Sequence, residues 1–145
     1  MGRLPSAAFC LAAITLLAGC GRAEGEAHAR RVAEAYFQAV KEKDADRAMG
    51  FYAKRFFETR SSEGWKQDLK LIAERLGALE SYALVSSRWR TDFVPPDSGS
   101  YVTLNYEVKY GRHGARETFT LHRPFVRGDF QIIAHELHSE GFLRE

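Results

Sequence analysis

The chain has 145 residues, of which 45% are hydrophobic and 28% are charged, with 21 cations against 19 anions. This length and apolar content suffice for one domain that buries its own hydrophobic core. A formal net charge of +2 does not supply the concentrated basic surface that nucleic-acid binding requires. The composition therefore argues against nucleic acid as a partner.

The amino terminus has the pattern of a secretory signal. One early cation, Arg3, precedes an apolar run over residues 7–17, and small residues follow that run. The run is shorter than the roughly 20 apolar residues that a membrane-spanning helix needs. It ends in Leu17-Ala18-Gly19-Cys20, a tetrapeptide that resembles the lipobox of bacterial lipoproteins.

The lipobox resemblance implies a lipid anchor. By that resemblance the bond before Cys20 is cut, the Cys20 thiol receives a diacylglyceryl group, and the new amino group is acylated. Each buried methylene contributes about 0.8 kcal/mol, so two or three chains hold a protein firmly on a membrane. The alternative is a free cysteine that follows an ordinary signal sequence.

Cleavage at this point would divide the chain into three parts. Residues 1–19 form the predicted signal peptide, residues 20–26 the lipidated cysteine with a short tether, and residues 27–145 one folded domain. Cys10 is discarded and Cys20 is acylated, so no cysteine pair remains for a disulfide. An aspartate after the cysteine would resemble an inner-membrane retention signal, but Gly21 stands there. We expect the protein on the outer membrane, facing the periplasm.

Three amphipathic helices are predicted before any long strand. The first covers residues 27–43, where apolar side chains repeat at three- and four-residue spacing. Asp44 is predicted to cap a short second helix, and residues 56–59 to form a brief extended segment. Ser61 or Ser62 begins the third helix, which Gly77 ends. Its apolar stripe consists of Trp65, Leu69, Ile72 and Leu76.

From Leu79 onward the apolar period changes to two, which predicts antiparallel strands. The strands are expected at residues 79–90, 101–110, 116–123 and 130–137. The second is the clearest, because its apolar face consists of Val102, Leu104, Tyr106, Val108 and Tyr110. This order predicts an α+β fold, with three N-terminal helices packed on a curved antiparallel sheet of about four strands.

The order of elements and several short segments resemble the nuclear transport factor 2-like superfamily. The segments are Phe51-Tyr52-Ala53 after Asp44, Trp65 in the third helix, Arg75-Leu76-Gly77 at its end, and Asp129-Phe130-Gln131-Ile132-Ile133. The resemblance implies a sheet that wraps around the helices as a cone, with an apolar pocket at its mouth. Different members use such a pocket for catalysis, ligand binding or protein contact, so the fold does not choose among these functions.

Candidate catalytic residues are few. Enzymes that resemble this fold place an aspartate or histidine on the inward face of the sheet, where burial shifts its pKa. The predicted inward face of residues 101–110 carries no carboxylate. The weak candidates that remain are Asp92, Tyr106, His135 and Tyr36, and a tyrosine at such a position is more often a core or rim aromatic.

No metal or other cofactor is predicted. His122 and His135 would face each other if a two-residue loop joined the last two strands, but His138 would point to the opposite side from His135. No zinc-type spacing of cysteine and histidine is present, so exposed sheet histidines are the favoured interpretation. Arg127-Gly128-Asp129 is interpreted as a turn rather than as an adhesion motif.

The charges on the predicted sheet are of both signs. Glu80, Asp92, Glu107 and Glu117 are interleaved with the arginines at 88, 90, 112, 116, 123 and 127. This mixture predicts a solvated surface rather than a basic patch for an anionic polymer.

Two hypotheses for function follow. The preferred one is a lipid-anchored, non-enzymatic module that binds an envelope protein or a small apolar ligand through the mouth or open face of the sheet. Pairing of two copies through that face is a further expectation of the resemblance. The alternative is a small isomerase- or hydrolase-type enzyme with Asp92, His135 or Tyr106 in a cavity. The alternative requires at least two of these groups within hydrogen-bond reach in one enclosed pocket.

Overall fold

The computed structural model describes residues 12–125 and 128–143, with side chains from Gly21 onward. Arg3, Cys10 and Arg127 lie outside the described residues. The described part is an α+β fold of three α-helices and one four-stranded antiparallel sheet. The elements are α1 (Ala12–Lys41), α2 (Ala45–Met49), α3 (Ser62–Leu76), β1 (Leu79–Asp92), β2 (Gly99–Tyr110), β3 (Gly114–Pro124) and β4 (Gln131–His138), with 3₁₀ turns at Lys54–Glu58 and Glu140–Phe142.

The sheet is a meander in which each strand pairs with the next one along the chain, in the order β1-β2-β3-β4. The strands lie where the period of two predicted them. Tyr106 pairs with both Leu84 and Glu117, so the three strands are in register at this point. All five predicted inward residues of β2 are buried. The two faces of the sheet therefore follow directly from the alternation of side chains along β2.

Helix α1 is longer than predicted. It begins at Ala12 rather than near Ala27, so the residues predicted to form a tether are helical. The physical reason is packing of this segment on the sheet. A Cβ on Gly25 would lie 2.6 Å from the Trp89 ring, and the Ser87 hydroxyl donates to the Glu26 carboxylate at 3.0 Å. The lack of a side chain at Gly25 lets the helix approach β1 closely.

The caps of the shorter helices are confirmed. The Asp44 carboxylate accepts the Arg47 amide at 3.0 Å, and the Ser61 hydroxyl accepts the Gly64 amide at 3.0 Å. Gly77 ends α3 with φ of 91°, a conformation that side chains with a Cβ disfavour.

The predicted extended segment at residues 56–59 is wrong. Lys54–Glu58 is a 3₁₀ turn, in which the Phe56 amide donates to the Ala53 carbonyl at 3.0 Å. The turn buries the Phe56 ring, whose centroid lies 5.4 Å from the centroid of the Trp65 ring and 4.4 Å from that of the Tyr52 ring. Burial of this aromatic residue therefore outweighs the extended preference of the local sequence.

The hydrophobic core lies between α1 and the inner face of the sheet, and it is largely aromatic. Tyr36 and Phe37 of α1 are buried, and both contact Phe119 of β3, with ring centroids 5.4 and 5.3 Å apart. Phe37 also packs edge to face against Tyr106 of β2, at 5.1 Å. The predicted apolar face of α1 is thereby confirmed as the face that meets the sheet.

Candidate functional site

A short parallel bridge positions the first residue of the candidate site. Residues Phe51 and Ala53 each form a backbone hydrogen bond with Ile132 of β4, at 2.9 and 2.8 Å. This pairing places Tyr52, which lies between them, over the inner face of the sheet beside His135. The two residues are 83 positions apart in the chain, so the backbone of the α2–α3 connection brings them together.

A chain of four polar side chains crosses this part of the interior. The Tyr52 hydroxyl lies 2.8 Å from Nδ1 of His135, and Nε2 of His135 lies 2.8 Å from Oε2 of Glu117. The Tyr110 hydroxyl donates to the other oxygen of Glu117. The side chains of His135 and Glu117 are each only 1% exposed. We call these four residues the buried polar chain.

One arrangement of protons satisfies the whole buried polar chain. If His135 carries its proton on Nε2, it donates to ionised Glu117 and accepts the Tyr52 hydroxyl proton on Nδ1. Glu117 then accepts two hydrogen bonds, from His135 and Tyr110. Buried polar groups cost free energy unless they are paired, and each functional atom in this chain has its partner.

Burial keeps the tyrosines of this region protonated. It raises the pKa of Tyr52 and Tyr36, and it raises the pKa of Tyr110, where the negative charge of Glu117 adds to the effect. The hydroxyls of Tyr52 and Tyr110 therefore act as hydrogen-bond donors at neutral pH. A phenolate nucleophile or base at these positions would be strongly disfavoured.

Aromatic rings fill the space around His135. Its imidazole stacks on Phe119 with 4.2 Å between centroids, and Tyr36 and Trp65 lie edge-on at 5.4 and 5.5 Å. The adjacent cavity has a volume of about 60 Å³ and is lined in part by Glu117, His135 and Leu137. Ligand sites commonly measure about 300–1,000 Å³, so this cavity is too small for a drug-sized ligand.

The structure does not bring the predicted catalytic candidates together. Asp92 lies at the end of β1, where its carboxylate contacts Arg90 at 3.1 Å and accepts the Val94 amide at 3.0 Å. Tyr106 is buried on β2, and within the described residues its hydroxyl has no hydrogen-bond partner. His135 is bonded to Glu117 and Tyr52 instead. The pairing that the enzyme hypothesis requires is therefore not found among these three residues.

Three predictions about the sheet residues are wrong. His122 pairs with Gln131 and His135 pairs with Phe119, because the connection between the end of β3 at Pro124 and the start of β4 at Gln131 is longer than a two-residue loop. His135 is buried rather than exposed, whereas His138 points outward as predicted, with its side chain 75% exposed. Glu117 belongs to the interior rather than to the solvated mixed-charge face.

The sequence did contain a signal for Glu117. It lies two residues before Phe119, and residues two apart in a strand share a face. The predicted apolar face of residues 116–123 therefore included Glu117 by periodicity alone. Tyr52 had no such signal, because its position depends on the bridge to β4.

The outer face of the sheet carries an open depression. One cross-strand row, Ala83, Glu107, Arg116 and His138, runs over all four strands. The segment from Ser139 to Leu143 stands beside this row, and the two enclose an open groove of about 1030 Å³. We call it the outer groove. Leu143 at its margin is 83% exposed.

The charges of the outer groove have both signs. Glu107 and Glu140 are acidic, whereas Lys109 and Arg116 are basic. Lys109 is partly neutralised by Glu80, at 3.1 Å. The described residues contain no group of three or more histidine, cysteine, aspartate and glutamate side chains arranged to hold a metal ion. The groove thus offers charged and apolar contacts side by side.

No family model, curated protein or solved structure matches this chain. The resemblance to the nuclear transport factor 2-like superfamily therefore rests on the segments quoted under Sequence analysis. Within residues 12–125 and 128–143, no helix combines the length and the apolar character needed to cross a membrane.

Proposed function

We propose that this protein is a lipid-anchored module of the bacterial cell envelope that binds a protein segment in its outer groove. The observation that supports this function best is the groove itself, about 1030 Å³ in volume and open along the four-strand row. Ligand sites commonly range from about 300 to 1,000 Å³, so its size suits a peptide segment or loop of a partner.

The proposed anchor is Cys20 within Leu17-Ala18-Gly19-Cys20. Acylation there would place the protein on a membrane, and Gly21 after the cysteine favours the outer membrane over the inner one. The domain would then face the periplasm. We also propose that the fold is of the nuclear transport factor 2-like type, with the sheet curved as a cone around α1.

A protein segment fits the structure better than a small apolar ligand does. An apolar ligand would need space on the inner face, which aromatic rings occupy and where the cavity measures about 60 Å³. The outer groove instead presents Glu107, Lys109 and Arg116 beside apolar atoms. Protein interfaces have a polar rim and are enriched in arginine, so Arg116 is the residue of this set that most favours a protein partner.

The enzyme alternative would depend on a different pair from the one predicted. His135 and Glu117 form a carboxylate–histidine pair of the kind that general bases use. However, the Tyr52 hydroxyl is hydrogen-bonded to the second ring nitrogen of His135, and the neighbouring cavity measures only about 60 Å³. A substrate would have to displace parts of the core. The binding module therefore remains the preferred proposal.

Site-specific photocrosslinking in the producing cells tests the binding function. A photoreactive amino acid replaces Ala83 in the floor of the groove, and a matched variant carries it at Glu74, an exposed residue of α3. We expect one discrete crosslinked species from position 83 and none from position 74. Arg116→Glu should abolish that species, because it reverses a charge in the row.

Several outcomes would contradict the binding proposal. Equal crosslinking from both positions would indicate nonspecific contact, and a crosslinked species with twice the mass of the chain would identify a homodimer instead. The anchor is tested separately by intact mass and by membrane fractionation. Cys20→Ser should remove the added lipid mass and release the protein from the membrane, whereas Cys10→Ser should change neither property. A mature wild-type chain without added lipid would refute the anchor.

A further inference from the structure

Three large apolar side chains are exposed together at one end of the sheet. Phe93 is 77% exposed, Val94 is 70% exposed and Phe125 is 49% exposed. The rings of Phe93 and Phe125 lie 5.5 Å apart between centroids, so the residues form one patch rather than scattered positions. We call these three residues the apolar tip. Exposed apolar clusters of this kind commonly mark a contact with a protein or a membrane.

Helix α1 reaches the same end of the sheet. Gly25 packs against Trp89, and the His28 ring lies edge-on to Phe130 at 5.6 Å. Trp89 is close to the end of β1, and Phe130 immediately precedes β4. The opposite end of α1 lies near the start of β1, since Val40 and Leu79 line the same small cavity. The helix therefore crosses the inner face with its earlier residues toward the apolar tip.

The proposed anchor and the start of the apolar tip lie at similar distances along the chain from the contact between Gly25 and Trp89. Cys20 precedes Gly25 by five helical residues, which corresponds to about 7.5 Å along the axis. Asp92 follows Trp89 by three strand residues, about 10 Å, and Phe93 comes next. A membrane that holds acyl chains on Cys20 would thus lie close to Phe93 and Val94.

We propose that the apolar tip inserts into the interfacial region of the lipid bilayer that carries the acyl chains of Cys20. This inference rests on the proposed function, because it requires the anchor. The apolar face of an interfacial amphipathic helix is buried about 5–10 Å into the boundary between headgroups and acyl chains, and the tip would insert to a comparable depth. The tip is therefore a second contact that fixes the orientation of the domain on the membrane.

The charges behind the tip are compatible with a headgroup layer. Arg90 lies over the Tyr101 ring at 4.2 Å and pairs with Asp92 at 3.1 Å, while Arg55 pairs with Asp97 at 2.8 Å. These two ion pairs neutralise two of the cations, and Arg123, whose guanidinium lies over the Phe130 ring at 4.7 Å, adds a positive charge at this end of the sheet. Insertion of the apolar side chains would therefore place a cation beside the lipid headgroups.

Insertion of the tip would turn the outer groove away from the membrane. Ala83 in the groove precedes Asp92 by nine strand residues, or about 30 Å. A partner could then reach the groove from the periplasm. We favour lipid over a second copy of the chain as the partner of the apolar tip. The proposed anchor would hold the tip at the bilayer surface whether or not another copy is present.

Fluorescence of single labels on the full lipoprotein tests this orientation. Val94→Cys carries an environment-sensitive dye at the tip, and Glu74→Cys carries it on α3 as the matched control. The acylated thiol of Cys20 does not react with the dye. Both proteins are placed in vesicles of phosphatidylethanolamine and phosphatidylglycerol, with or without lipids that bear a quencher on the upper acyl chain. Intact mass first verifies acylation, which tests the anchor separately.

We expect the dye at position 94 to emit at a shorter wavelength than it does in water. We expect its emission intensity to fall when quencher lipid is present. The emission from position 74 should do neither. A blue shift without quenching would show that the tip contacts protein, and it would overturn the proposal. A solvent-like emission from position 94 on an acylated chain would also overturn it while leaving the anchor intact. An unacylated mass would overturn both the anchor and this inference.

Discussion

The two faces of the sheet differ in how they treat polar side chains. On the inner face, Glu117 and His135 are buried and hydrogen-bonded to each other and to two tyrosines. On the outer face, Glu107 of β2 pairs with Arg116 of β3, and both side chains are exposed to solvent. Arg116 is adjacent in sequence to the buried Glu117. The same strands thus carry a closed network on one side and an open groove on the other.

This difference indicates which polar residues serve folding and which are free to bind. A polar residue whose partners are all within the protein contributes to the stability and specificity of the core. A polar residue on an open face keeps its water until a partner replaces it, so it contributes to recognition. The buried polar chain belongs to the first group, and we propose that the outer groove belongs to the second.

The largest expected effect comes from breaking the inner network. Glu117→Ala leaves the buried donors of His135 and Tyr110 without a partner, and each unsatisfied donor costs about 1–3 kcal/mol, so we expect the free energy of unfolding to fall by about 2–6 kcal/mol. Urea denaturation of the purified domain measures this change. The matched control is Glu107→Ala on the outer face, where surface substitutions usually change stability by about 0.5 kcal/mol or less.

If the Glu117→Ala variant does not fold, Glu117→Gln keeps the shape of the side chain and gives a smaller, measurable loss. Equal stability of the Glu117 and Glu107 variants would contradict the distinction between the two faces.

A smaller effect distinguishes paired from unpaired hydroxyls within the inner face. Tyr52→Phe removes the partner of Nδ1 of His135, so we expect a loss of about 1–3 kcal/mol. Tyr106→Phe removes a buried hydroxyl that has no partner among the described residues, so it should be neutral or stabilising. Thermal and urea unfolding of both variants provide the comparison. A larger loss for Tyr106→Phe than for Tyr52→Phe would show that the hydrogen-bond assignment is wrong.

The smallest effect concerns the part of the outer face that a loop covers. His122 stacks on Tyr101 at 4.4 Å, and burial there lowers the pKa of His122 below its ordinary value of 6.5. The unfolded chain therefore binds this proton more readily than the folded chain does. The stabilising contribution of neutral His122 is complete above pH 6.5 and is lost as the pH falls below that value.

The difference in stability between pH 7.5 and pH 5 measures the contribution of His122. His122→Gln should reduce this difference, and His138→Gln on the exposed end of β4 is the control because the His138 side chain is 75% exposed. An equal pH dependence in both variants would place the titrating group elsewhere.

Local sequence signals predicted most of the secondary structure. The N-caps Asp44 and Ser61, the C-terminal Gly77 and the alternation in β2 each act over a few residues, and all four are confirmed. The failures have nonlocal causes. The 3₁₀ turn at Lys54–Glu58 depends on the burial of Phe56 against Trp65, and the partner of His135 depends on the register in which β4 pairs with β3.

The candidate site was less predictable than the fold. His135 was among the candidates, but its partners Glu117 and Tyr52 were not, although alternation along β3 placed Glu117 on the inner face. Tyr52 and His135 are 83 residues apart, and Glu117 and His135 are 18 apart. No local spacing in the chain relates such pairs, because their contact requires the pairing of strands and the bridge at Tyr52.

The α+β order, the caps and the alternating faces of the sheet could be predicted from the chain alone, because each depends on neighbouring residues. The sequence also contains the tetrapeptide that ends in Cys20, on which the proposed anchor rests. Three features required the folded chain: Glu117 and His135 are bonded in the core, a groove crosses the outer face, and Gly25 lies at the same end of the sheet as Phe93. These features depend on strand register and on the packing of α1 against the sheet, and such long-range contacts form only in the folded chain.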